Sequence, residues 1–95
     1  MEIIGKDKLI KFKKKHTDCK SQIDAWIVDT ETTKYRSFNE IKIKYPSASI
    51  LKDNKIIFNI KGDRYRLATV VIIIADKIYI DWIGTHEEYN KMNFN

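Results

Sequence analysis

Residues 67–75 are apolar throughout except for Thr69. A run this uniform cannot sit at the edge of a sheet with one face in water. It predicts a central strand over residues 64–74, covered on both faces. It is also about half the ~20 residues needed to span a membrane, so it predicts no membrane association. Its neighbours carry strand signals too. Residues 55–61 alternate, with Ile56, Phe58 and Ile60 on one face, and residues 78–84 place Ile78, Ile80 and Trp82 together. Gly62-Asp63, Asp76-Lys77 and Asp53-Asn54 read as the turns between them, and residues 47–51 as a short additional strand.

The first half follows a different period. Over residues 6–15, Leu9, Phe12 and His16 fall at i, i+3 and i+7, the spacing of one helical stripe. Thr17-Asp18 opens a second helix, in which Cys19, Ile23, Trp26 and Ile27 recur on one face; it ends in the weak helix formers of residues 30–33. Ser37 followed by Glu40 has capping-box spacing and starts a short helix with Phe38, Ile41 and Tyr45 inward. Pro46 ends it, because the residue before proline avoids the helical region. Thr85 or His86 caps a last short helix running to about Met92. The expected fold is α+β: a single domain over residues 1–95, with N-terminal helices on one face of a small, mainly antiparallel sheet and a short C-terminal helix.

Lys and Arg number 18 against 13 Asp and Glu, a net charge of +5. That balance favours an anionic partner such as nucleic acid. The lone Cys19 allows no internal disulfide, and the N-terminus shows no signal-peptide pattern; both point to the cytoplasm. Paired cysteines and His-x-x-x-His spacing are missing, as are phosphate-cradling glycine motifs. The expectation is therefore no metal and no cofactor.

Two clusters can carry chemistry. Arg66 stands at the head of the apolar run, where a guanidinium needs an anion or an exit to water. Lys61 and Arg64 flank the same turn. Near the C-terminus, His86 sits at a strand-to-helix junction with Tyr89 three residues on, on the same helical face, and Lys91 nearby. RNA cleavage without metal needs a base for the 2′-OH, an acid for the leaving 5′-oxygen and positive charge on the phosphorane. Arg66, His86 and Tyr89 are the right residue types for those tasks. Each also has an ordinary structural role open to it: a strand-end ion pair, a helix cap, a core aromatic. Residues 11–15 of the first helix, Lys13 and Lys14 among them, form a basic face suited to an RNA backbone or equally to solvent.

Phe58-Asn59-Ile60, Gly62 and Tyr65-Arg66-Leu67 form one block, and Tyr79-Ile80, Ile83, Thr85-His86, Glu88-Tyr89 and Lys91 form a second. In this order they resemble the HigB toxins of the RelE/ParE superfamily, with weaker similarity back through Tyr45-Pro46-Ser47-Ala48 to Trp26. Asp63, Asp81 and Asn90 depart from the usual residues, and Asp81 stands where a basic residue is common. The resemblance implies a RelE-like fold and a ribosome-dependent endoribonuclease that cleaves mRNA. It implies a cognate antitoxin, HigA-like with a helix-turn-helix, that alone contacts operator DNA. Carried over by position, Arg66, His86 and Tyr89 are the candidate catalytic residues, and Lys61, Arg64 and Lys91 the secondary phosphate contacts; Lys13 and Lys14 of the basic helix face are added as RNA contacts on charge alone. Which residue is acid and which base stays open. The competing expectations are a non-catalytic inhibitor on the same scaffold, such as a gyrase binder, and an inactive relic.

Overall fold

In the computed structural model, which describes residues 1–92, the elements run β1 (Glu2–Ile4), α1 (Lys6–Lys15), a 3-10 turn (Thr17–Cys19), α2 (Lys20–Thr32), α3 (Phe38–Lys44), β2 (Ser49–Ile50), β3 (Lys55–Ile60), β4 (Tyr65–Ile72), β5 (Lys77–Thr85) and α4 (His86–Asn90). The strands make one sheet in the order β1-β5-β4-β3-β2. All pairings are antiparallel except β1 with β5. The α+β architecture expected from the sequence is present. β1 was not foreseen, because three residues carry too little pattern to betray a strand. Its amide and carbonyl groups join β5 only over Lys77, Ile78 and Tyr79, which leaves the rest of that edge open.

The apolar run is central, third of five strands, but helices cover only one of its faces. Tyr65, Leu67 and Val71 join Ile56, Phe58, Ile60, Ile78 and Ile80 against Leu9, Cys19, Ile23, Trp26 and Ile41 from the helices. On the other face Ala68 is buried, whereas Val70 and Ile72 keep partial exposure and Tyr79 is 40% exposed. The strand is also shorter than expected, because residues 73–76 turn the chain.

A β-bulge overturns one face assignment. Along the β4–β5 ladder Ala68 pairs with Trp82, but Thr69 pairs with Ile80, so Asp81 is the extra residue. A single extra residue inverts every side chain beyond it. Ile78 and Ile80 therefore face the core, Ile83 replaces Trp82 there, and Trp82 turns to the open face. At the same place Lys8 of α1 donates from Nζ to the carbonyls of Ile80 (3.2 Å) and Asp81 (3.4 Å). The two basic faces of α1 diverge from this point. Lys13 turns the other way and pairs with Asp24 of α2.

The turns are built on left-handed backbone. Asp53 and Asn54 both have positive φ, as expected of a tight turn. In the β3–β4 hairpin the left-handed pair is Lys61 and Gly62, one residue earlier than the sequence suggested. Ser37 does accept the amide of Glu40, but the Glu40 carboxylate takes the amide of Arg36, so only half of a capping box forms. The full box is at Thr85 and Glu88.

Asp29 knots α2 to the chain that follows. It accepts hydroxyls from Tyr35 (2.7 Å), Tyr45 and Thr33 (3.3 Å), with Lys44 at 3.9 Å. Burial pushes its pKa up, but the two tyrosine hydroxyls and then Lys44 outweigh it, and the net shift is downward from 3.8. Both tyrosines are correspondingly shifted up by burial and by this carboxylate. A carboxyl group with a depressed folded pKa stabilises the fold above its unfolded value and loses that contribution as pH falls through the folded one. Asp29→Asn should therefore cost roughly 1–3 kcal/mol at neutral pH, the penalty for weakening a part-buried acceptor. The gap from wild type should narrow below about pH 4. Thermal melts followed by circular dichroism from pH 7 to pH 2.5 check both statements.

Candidate active site

The lower ends of β3, β4 and β5 converge on the turn at residues 61–64 and on the start of α4. The Thr85 hydroxyl accepts the Glu88 amide at 3.1 Å, and the Glu88 carboxylate accepts the Thr85 amide at 2.8 Å. That reciprocal cap, reflected in a Glu88 pKa held below its ordinary value chiefly by the Thr85 amide, sets the direction in which α4 leaves the sheet. His86 is the first helical residue, and its amide donates to the Arg64 carbonyl at 3.0 Å. The backbone at His86 is thereby fixed against the β3–β4 turn.

Arg66 pairs with Gly84 across the ladder and stands on the open face. Its Nη2 lies 3.1 Å from His86 Nδ1, and its guanidinium carbon 5.4 Å from the centre of the Tyr89 ring. Its Nε is buried without a hydrogen-bond partner. The three residues singled out in the sequence are thus side by side, all three partly exposed. Behind them the Trp82 ring is 6.4 Å from Tyr89. It lies over Gly84: a Cβ there would meet Trp82 Cζ2 at 2.3 Å and Glu88 Oε1 at 2.8 Å. Gly84→Ala should force the indole aside and lower stability by about 1–3 kcal/mol, the usual cost of overpacking. A denaturant midpoint measures it.

His86 Nδ1 also lies 3.0 Å from the carbonyl oxygen of Asp63. One nitrogen cannot serve both neighbours at once. Carrying a proton, it donates to Asp63 and leaves Nε2 bare, able to act as a base. Without one, it accepts from Arg66 and the proton sits on Nε2, which then donates a hydrogen bond and is no longer a base. The two contacts therefore define two tautomers, and only the one that donates to Asp63 presents a bare Nε2 as a base.

An open cavity of about 620 Å³ adjoins His86, bounded also by His16, Asp63, Arg64, Tyr65, Thr85 and Glu87. His16 follows Leu9 and Phe12 on the stripe of the first helix. It stacks on Phe12 at 4.3 Å and lies 5.3 Å from Tyr65, yet it lines the cavity opposite His86. Being one of only two histidines was the signal that could have singled it out.

The secondary cations are placed less uniformly. Asp18 gathers Lys61 (carboxylate at 3.6 Å, carbonyl at 2.8 Å), Arg64 (3.0 Å) and the Tyr65 hydroxyl (2.7 Å). The Tyr65 hydroxyl first, and then Arg64, hold the Asp18 pKa below its ordinary value, and the Tyr65 hydroxyl is shifted up in return. Lys61 and Arg64 thus brace the turn that carries the Asp63 carbonyl. Lys14 is exposed on α1, and Lys91 is exposed where α4 ends.

No helix among the described residues is long and apolar enough to cross a membrane. No curated protein matches the chain. A family model described as HigB toxin, the RelE-like toxic component of a toxin–antitoxin system, matches residues 19–92, a span that holds every element from α2 to α4. The helices on a five-stranded mixed sheet agree with a RelE-like fold. The chain belongs to the HigB family and is the toxin of a toxin–antitoxin system, with an antitoxin as its partner.

Proposed function

We propose that this toxin is a cytoplasmic, metal-independent endoribonuclease that cleaves mRNA on the ribosome by attack of a 2′-OH on the adjacent phosphate. A helix-turn-helix antitoxin neutralises it. The observation that carries the reading is the convergence of Arg66, His86 and Tyr89 within contact distance, with His86 on the wall of an open cavity. Arg66 offers bidentate donors for the phosphate oxygens and for the charge that grows on them. His86, in the tautomer that donates to Asp63, can take a proton at Nε2 and as the imidazolium so formed give one back, and Tyr89 either completes that transfer or orients the phosphate. These side chains supply what the reaction needs without a Lewis acid.

The test maps transcript 5′ ends after brief induction and repeats cleavage in a translation extract. Products ending in a 2′,3′-cyclic phosphate are expected, the mark of 2′-OH attack. Growth arrest with intact transcripts would replace this reading by a non-catalytic inhibitor.

A further inference from the structure

A second groove opens on the side of α1 away from Lys13. Lys8, Lys11 and Lys15 recur there at i, i+3 and i+7, a single helical stripe. The stripe faces the length of β5 that β1 leaves unpaired. The groove between them holds about 390 Å³, and its floor is Phe12, Trp82 and Ile83. Trp82 reaches it only because the bulge at Asp81 turned the indole out of the core. Lys8 is engaged with the strand carbonyls, whereas among the described residues Lys11 and Lys15 form no ion pair. Among the described residues that line the groove, Asp81 is the one acidic side chain.

The groove adjoins the candidate active site. Trp82 lines it and lies 6.4 Å from Tyr89, whose ring lies 5.4 Å from the Arg66 guanidinium. His16, at the cavity beside His86, directly follows Lys15. A row of exposed ammonium groups over an aromatic and aliphatic floor is the arrangement that takes single-stranded nucleic acid: phosphates on the cations, bases against the rings. An acidic peptide would satisfy the lysines but makes less use of the flat indole.

We propose that this groove is a subsite for single-stranded RNA flanking the scissile phosphate, with Lys11 and Lys15 on backbone phosphates and one base against Trp82 and Phe12. The assignment rests on the ribonuclease reading for its direction, but binding can be measured apart from cleavage. The probe is a fully 2′-O-methylated RNA oligonucleotide, which cannot react, titrated into the whole toxin by fluorescence anisotropy at several salt concentrations. Lys11→Gln with Lys15→Gln should weaken binding about tenfold and flatten the log–log salt slope by about 1.4, at roughly 0.7 per lost phosphate contact. Asp81→Asn should tighten it. Melting curves check that these exposed substitutions leave the fold intact. Unchanged affinity and slope in the double variant would overturn the subsite, as would lysine-dependent binding of a polyglutamate peptide tighter than that of RNA. Transcripts left whole by a wild type that still binds RNA through these lysines would sink the nuclease and keep the groove. A double variant that cleaves with the wild-type KM would do the reverse.

Discussion

His86→Ala is expected to slow RNA cleavage by about 10²–10⁴-fold, the range for loss of a positioned proton-transfer group. The imidazole is held by the Asp63 carbonyl at 3.0 Å and approached by Arg66 at 3.1 Å, so its ring plane is set before substrate arrives. It is only partly buried, and its removal leaves the core of Leu9, Ile56 and Leu67 untouched. The loss should therefore appear in kcat, with thermal stability little changed. Single-turnover cleavage of a defined mRNA in a translation extract, beside a melting curve, measures both. Wild-type turnover in the variant would remove His86 from the chemistry.

Arg66→Ala is expected to cost about 10²–10³-fold, comparable to deleting one donor to a developing oxyanion. The substitution also withdraws the donor that favours the bare-Nδ1 tautomer of His86, leaving only the Asp63 carbonyl to orient the ring. Arg66→Lys separates the two effects. An ammonium restores charge but has neither the bidentate fork nor the planar face that meets Tyr89. It should recover only part of the rate, staying about tenfold below wild type. If lysine restored full activity, a point charge would suffice and the planar contact with Tyr89 would be irrelevant to the reaction. The same assay reads both variants.

Much of this arrangement is legible in the sequence because short-range rules govern it. The period of α1, the stop at Pro46, the turn at Asp53-Asn54 and the alternation of β3 follow from local sterics and burial, and the structure keeps them. The candidate residues could be named because they are the types that phosphodiester cleavage needs and because they fall in the two blocks that resemble the HigB toxins. What stayed hidden was long-range. The parallel partner of β5 comes from the far end of the chain. The bulge at Asp81 arises from the ladder with β4, and no window of β5 alone displays it. Lys13 and Lys14 were chosen for density of charge, but the helix sends Lys13 to Asp24 and turns Lys11 and Lys15 toward the groove. Lys61 and Arg64 likewise read as open cations until Asp18, distant in sequence, is seen between them.

The ammonium of Lys8 bears on how such molecules behave when crowded together. An unfinished strand margin is a template on which another chain can add itself, and then a third. Here two acceptors of that margin are already engaged by a charged group from the same molecule. A newcomer would have to displace it and bring its own backbone against a positive point, so polymerisation through this border is blocked while the side chains beside it stay accessible to a ligand.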